Sequence, residues 1–309
     1  MSFLGRIRSA PKAPEVKRAE LFDDEFQRKL EMLSLLSRRI FSGQSRAERR
    51  SKKQGSGVEF ADYRDYVPGD DFRYVDWQVY QRFARLLVRL YEEEEDLGIY
   101  FLLDTSSSMG FGGGHKFDQA RRLCAALAYV GLKNLDRITI VTLSDRLEER
   151  MPTTRGKGRI FKVFQFLSGL ETGGQTNLGD ALRTFTLQHK RRGLAVLISD
   201  LYDLEGFEHG INVLRYNKFE PYVLNVFDRK DALAGLKGDL SLYDCETGEA
   251  RDVTVTDALL SRMERVLQEY RKEIETFCTA RKVPYFAADV DAKIEDLVLD
   301  MFRRGGFLH

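Results

Sequence analysis

Gly98 to Met109 reads Gly-Ile-Tyr-Phe-Leu-Leu-Asp-Thr-Ser-Ser-Ser-Met, and the fold turns on this stretch. A short apolar run closed by Asp104 predicts a strand buried on both faces, the mark of a parallel sheet. Beyond Asp104, the alternate positions Ser106 and Ser108 carry hydroxyls. A turn at the strand end would gather one carboxylate and two hydroxyls. These are hard oxygen donors suited to a small hard cation such as Mg²⁺. The same residue types also serve as a helix N-cap, where Asp and Ser are common.

Two later segments bear on that choice. Gly173-Gly174-Gln175-Thr176-Asn177-Leu178-Gly179-Asp180 places Thr176 in a glycine-rich loop before an amphipathic helix that Asn177 can cap. Leu194 to Asp200 is a second apolar strand ending in an aspartate. Parallel α/β sheets gather the carboxyl ends of their strands on one edge, where ligands bind. Asp104, Thr176 and Asp200 are therefore expected to converge there.

The surrounding pattern supports such a sheet. Helical spacing runs over Lys116–Leu132 and Arg159–Leu167, and strand composition over Arg137–Leu143 and Phe219–Phe227. Leu240 to Thr256 breaks the rhythm with two alternating segments about Glu246-Thr247-Gly248-Glu249, which predicts an inserted β-hairpin. A long amphipathic helix through Leu259 to Cys278, a strand at Pro284–Ala288 and a helix at Ile294–Phe302 complete it. The expected fold class is α/β, a doubly wound, mainly parallel sheet with a smaller helical and β N-terminal region.

Upstream, residues 1–22 read as a flexible tail. Residues 23–96 form an N-terminal region: an amphipathic helix over Asp23–Phe41, a basic linker, an aromatic and Asp-rich segment, and a strand at Leu86–Tyr91. Residues 97–309 make the main domain, its hairpin at 240–256. The basic run Arg38, Arg39, Arg46, Arg49, Arg50, Lys52 and Lys53 is read as a solvated linker, with a docking patch for an acidic partner or anionic lipid as the alternative. Between Tyr63 and Trp77, Arg64 and Arg73 are expected to partner the aspartates. Trp77, Tyr80 and Phe83 are expected to pack on the main domain. The acidic run Glu92–Asp96 must be solvated or paired.

Asp-x-Ser-x-Ser at Asp104–Ser108, a loop Thr at 176 and a strand-end Asp at 200 resemble the metal-ion-dependent adhesion site of von Willebrand factor A domains, over Leu97 to His309. Gly57-Val58-Glu59-Phe60, Tyr66 to Arg73 and Val75-Asp76-Trp77 resemble the bacterial domain-of-unknown-function family numbered 58. The first resemblance implies a von Willebrand A-like fold and a metal set of Asp104, Ser106, Ser108, Thr176 and Asp200. The ion implied is Mg²⁺, with Mn²⁺ or Ca²⁺ as alternatives, and a partner's Asp or Glu completes its sphere. The second implies a MoxR-type AAA+ ATPase, or its client, as that partner in protein remodelling or complex maturation.

Bulk properties narrow the classes. Of 309 residues 43% are hydrophobic, enough for a sizeable core. Forty-nine basic and 48 acidic side chains leave a net charge of +1, which argues against non-specific nucleic-acid binding as the main task. Cys124, Cys245 and Cys278 lack metal or redox spacing and read as reduced thiols. No secretory signal or membrane-length apolar run is legible. The expected location is cytoplasmic, with membrane association at most peripheral.

Other chemistries fit less well. The glycines from Gly110 to Gly114 precede Lys116, but the phosphate-loop spacing is missing. No Gly-x-Ser-x-Gly elbow is present, and no histidine is placed as a base for Ser106 or Ser108. A phosphatase resembling the haloacid-dehalogenase type needs a second Asp where Ser106 stands. The sequence is therefore read as a non-enzymatic, metal-dependent protein-interaction module. The alternative is an Mg²⁺-dependent phosphohydrolase using the same oxygens.

Overall fold

The computed structural model describes residues 21–43, 50–53, 59–94, 98–111, 115–144, 150–175, 177–203, 206–229, 238–244 and 250–304. The central strands are β4 (Gly98–Asp104), β5 (Arg137–Leu143), β7 (Gly193–Ser199), β8 (Glu220–Phe227) and β11 (Tyr285–Asp289), all mutually parallel. An antiparallel edge strand, β6 (Arg150–Thr154), completes a six-stranded sheet of order β11-β8-β7-β4-β5-β6. The expected doubly wound, mainly parallel α/β architecture is thus present.

Alternation along β4 shows how the sequence builds two cores. Ile99, Phe101 and Leu103 face one layer, while Tyr100 and Leu102 face the other. Successive strand side chains point to opposite faces, so an apolar run can fill both. The first layer holds α1 (Asp24–Gly43), α4 (His115–Lys133), α5 (Ile160–Gly169) and α9 (Ile294–Arg304). The second holds α6 (Leu178–Gln188), α7 (Phe207–Tyr216) and α8 (Asp257–Ala280). The expected inserted hairpin is β9 (Gly238–Tyr243) with β10 (Ala250–Val255), a separate antiparallel pair.

Chain order places the ligand edge. From β4 the chain passes through α4 to β5 and then β6 on one side. It then returns across the sheet to β7, on the other flank of β4. The reversal lies between β4 and β7, and open α/β sheets leave a crevice at the carboxyl end of such a switch point. Asp104 ends β4, and Asp200 directly follows β7.

Gly193 opens β7 opposite Gly98. A Cβ on Gly193 would lie 2.0 Å from the Gly98 carbonyl oxygen. Gly193→Ala should push the two central strands apart and lower stability by about 1–3 kcal/mol. Denaturant midpoints check this; an unchanged midpoint would mean that the close approach is not needed.

The N-terminal residues depart from the sequence reading in three ways. Leu21 and Phe22, grouped there with the tail, are buried, and Phe22 stacks on Phe164 of α5 at 4.7 Å. Phe26, Leu30 and Leu33 carry α1 into the same core against α4 and α9. Second, part of the basic linker is a strand. β1 (Arg50–Lys53) pairs antiparallel with β3 (Leu87–Glu94), and the register sets Arg50 opposite Glu94 and Lys52 opposite Glu92. The basic and acidic runs thus pair as neighbouring strands. Arg46 and Arg49 lie outside the described residues. Third, Trp77, Tyr80 and Phe83 of α2 (Trp77–Phe83) do not pack on the main domain; Trp77 is 52% and Phe83 69% exposed. Trp77 and Tyr80 meet edge-on instead, on a short helix ended by Ala84 in the left-handed region at φ 51°.

The aspartates of this region are paired with arginines. Arg64 grips Asp70, and Arg73 grips Asp71, as expected. Arg85 meets Asp65. Asp76 meets Arg89 of β3 rather than either expected arginine. β2 (Glu59–Asp65) completes this sheet in the order β1-β3-β2.

Cys124 and Cys278 are buried free thiols, and burial pushes Cys278 up to about 12. Cys245 lies outside the described residues. No helix among the described residues is long and apolar enough to cross a membrane.

Candidate metal centre

Asp104 is held by both of its oxygens. The backbone N–H of Ser106 donates to Oδ1 at 2.9 Å, and Ser199 Oγ donates to Oδ2 at 2.5 Å. The chain then turns into α3 (Ser107–Gly110), a single helical turn. Thr105 ties this turn to β5, its N–H and Oγ1 both donating to the Leu143 carbonyl at 3.0 and 3.3 Å. The turn places Ser106 Oγ 3.0 Å from Ser108 Oγ. Ser108 Oγ donates in turn to Asp200 Oδ1 at 3.3 Å. Asp104, Ser106, Ser108 and Asp200, which come from two segments well apart in sequence, thus form one continuous cluster.

The Asp200 turn is braced from three elements. Asn225 of β8 donates from Nδ2 to the Asp200 carbonyl, and Tyr270 of α8 donates to the Leu201 carbonyl at 2.6 Å. Ser199 Oγ also accepts the Leu201 N–H. Leu201 sits at φ 61°, a conformation that a branched apolar side chain rarely adopts. Such backbone persists where its surroundings over-determine it, often at functional sites.

The glycine-rich loop docks on the other turn. Gly173 N–H donates to the Thr105 carbonyl at 2.7 Å, and Ser107 N–H to the Gly174 carbonyl at 3.1 Å. Thr176 lies outside the described residues. Next to it, Asn177 caps α6 as expected, its side chain accepting from Asp180 N–H.

Two residues of the centre were not singled out from sequence. Ser199 is the penultimate residue of the strand segment and reads there as one more buried position. Lys116, the second residue of α4, donates from Nζ to Asp200 Oδ2 at 2.9 Å. Its ammonium also lies 5.3 Å from the Tyr202 ring centroid. A Lys opening an otherwise apolar helix face was the available signal, but nothing local points it at a residue 84 positions away.

The whole cluster is buried: Asp104 and Asp200 are each 1% exposed, and Ser106 is fully covered. The strand-end turns read from the sequence are thus covered rather than open to solvent. The cause is the docked glycine loop and the braced Asp200 turn, which close over the strand ends. Burial first, and then the charge of Asp200, hold the Asp104 carboxyl well above the usual carboxylate range, against hydrogen bonds from Ser199 and Ser106. Asp200 is paired with the Lys116 ammonium, whereas Asp104 accepts from Ser106 N–H and Ser199 Oγ, so with both carboxylates ionised the arrangement has an excess of negative charge.

The donor set fits a small divalent cation. Neighbouring ligands on an octahedral Mg²⁺ lie about 3.0 Å apart, given metal–oxygen bonds near 2.1 Å. The Ser106–Ser108 separation of 3.0 Å and the Ser108–Asp200 separation of 3.3 Å are close to that edge. The described residues offer no group of three or more His, Cys, Asp or Glu. A metal here would therefore rest on two carboxylates plus hydroxyls.

Comparison with known proteins places the chain among relatives. Uncharacterized proteins of Mycobacterium tuberculosis and Mycobacterium bovis are each 24% identical over 266 residues, 84% of both chains. Among solved structures, an aerotolerance-related membrane protein from Bacteroides fragilis matches with 15% identity and a TM-score of 0.42, covering 67% of this chain and 99% of that one. The conserved hypothetical protein BatB from Bacteroides thetaiotaomicron matches at 14% identity and a TM-score of 0.40, with the same coverage. The family described as protein of unknown function DUF58 matches residues 62–273, from the Arg-paired aspartate segment through most of α8, and the chain belongs to that family.

Proposed function

We propose that the protein is a metal-dependent protein-interaction module of the von Willebrand A type. The observation that carries this reading is the convergence of Asp104, Ser106, Ser108 and Asp200 into one buried oxygen cluster with excess negative charge. Asp104 and Asp200 supply the charge that holds the ion, and Ser106 and Ser108 supply neutral oxygens. Thr176 is assigned to the same set from its sequence pattern. Held by these residues, a Mg²⁺ ion would leave a coordination position for an external carboxylate. Few anionic donors leave such an ion attractive to an incoming acid, so the protein would capture a partner's Asp or Glu. The resemblance noted above makes a MoxR-type AAA+ ATPase or its client the proposed partner, within the cytoplasm.

Turnover is not part of this reading. No histidine enters the hydrogen-bond network given above for the cluster, and Lys116, its one ammonium, is engaged by Asp200. A general acid or base must reach the reacting proton. Scanning calorimetry with rising Mg²⁺ tests the binding claim. At a hundredfold excess over Kd the melting temperature should rise by about 5 °C, from mass action on the folded state. In parallel, Mg²⁺-dependent hydrolysis of a generic phosphoester should stay at background. Turnover that Asp104→Ala abolishes would replace the binding reading with the phosphohydrolase.

A further inference from the structure

We propose that Lys116 is a resident cation of the metal centre, a positioning residue that braces Asp200 from behind and keeps the loaded site net positive toward an anionic group. The inference rests on the metal reading above and adds a residue outside its proposed ligand set.

Lysine is almost never fully buried unless paired, and Lys116 is 2% exposed. Its place in the helix gives no local reason for the charge. It is the second residue of α4, where the helix dipole disfavours a cation. What the position provides is reach to Asp200.

The two oxygens of Asp200 divide their work. Oδ1 accepts from Ser108 Oγ at 3.3 Å and from Tyr202 N–H at 3.2 Å, on the side of the hydroxyl cluster. Oδ2 accepts from Lys116 Nζ at 2.9 Å. The ammonium therefore holds the carboxylate without taking the oxygen that faces the cluster. It can stay in place when an ion enters.

Charge then sets the consequence. With both carboxylates ionised, as metal ligation requires, two carboxylates and one ammonium give the metal-free centre one net negative charge. A divalent ion turns that to one net positive charge. Without Lys116 the loaded centre would be neutral. Lys116 thus weakens the hold on metal through repulsion and strengthens the pull on an incoming carboxylate. A brace that acts only through structure would move both affinities in the same direction.

The test uses Mn²⁺ as the ion and acetate as the carboxylate, read by electron paramagnetic resonance and water-proton relaxation on the full chain. In Lys116→Met, Mn²⁺ affinity should rise by about tenfold as one repelling charge is removed, while the acetate midpoint of the Mn²⁺-loaded protein rises at least about threefold. Lys116→Gln keeps a donor for Asp200 but no charge, and should follow Met in both readouts. It serves equally if Lys116→Met fails to fold. Mn²⁺ affinity that falls or stays unchanged in the variant that folds overturns the inference and leaves the metal site intact. Failure of the wild type to bind Mn²⁺ overturns the metal reading, and the inference with it.

Discussion

Asp104→Asn should abolish measurable Mg²⁺ binding, a loss of at least about a hundredfold, while the metal-free protein melts at or above the wild-type temperature. The two halves follow from the same geometry. The substituted side chain would keep the shape of the original and an oxygen to accept from Ser106 N–H, and its amide could donate to Ser199 Oγ. The Ser106 bond therefore survives, and the Ser199 contact is kept with its direction reversed. What disappears is a buried negative charge facing Asp200, and that charge opposes folding, as the raised pKa of Asp104 records. Each pKa unit of such a shift corresponds to about 1.4 kcal/mol between the two protonation states. A residue kept against stability is a functional candidate. Asp104→Ala should lose metal equally but melt lower, because the Ser199 hydroxyl and Ser106 N–H lose their partner. Isothermal calorimetry and melting of the three proteins check this. A large metal-free destabilisation by Asn, with Mg²⁺ binding retained, would make Asp104 a structural carboxylate.

The largest expected stability loss outside the centre comes from Asp76. One buried carboxylate there accepts four different groups: the N–H of Gln78 and of Val79 at the start of α2, the Tyr63 hydroxyl at 2.7 Å, and Arg89 Nε at 2.9 Å. Asp76→Ala should cost about 2–4 kcal/mol, combining a lost N-cap with bonds to a charged acceptor. Arg89 is 39% exposed, so solvent screens its share, and most of the loss comes from the hydrogen bonds. Asp76→Asn should cost less, because Asn still caps the helix. The Arg89 and Tyr63 hydrogen bonds hold the Asp76 carboxyl well below the usual carboxylate range. A group with a depressed folded pKa stabilises the fold above its unfolded value and loses that contribution as pH falls toward its folded value. The gap between wild type and Asp76→Asn should thus be constant near neutrality and shrink below about pH 4. Urea midpoints across pH measure it, and a gap that persists undiminished at about pH 2 would rule out the assignment.

The sheet was legible because its signal is local. β4 and β7 each carry an unbroken apolar run, β5 and β8 are rich in Ile, Val and Leu, and a parallel arrangement follows from the helices between them. Asp104 and Asp200 were legible for the same reason, since a strand-end residue in such a sheet must lie on the ligand edge. Lys116 was not, because its role depends on a contact that only the α4–β7 packing creates. The burial of the centre was hidden too: residues such as Gly173 and Ser107 close it through main-chain bonds that do not depend on side-chain identity. Leu21 and Phe22 follow a proline-containing stretch and carry too little pattern to betray a core position. The exposure of Trp77 and Phe83 ran against the ordinary expectation for large aromatics.

Everything proposed for the centre depends on an ion sitting among Asp104, Ser106, Ser108 and Asp200. Anomalous diffraction from crystals grown with Mn²⁺ locates such an ion without relying on any variant. A single strong peak is expected among these side chains, about 2 Å from the Ser106 and Ser108 hydroxyl oxygens, with Lys116 still on the outer oxygen of Asp200. Crystals that hold Mn²⁺ elsewhere, with no peak at this cluster, would refute the metal centre.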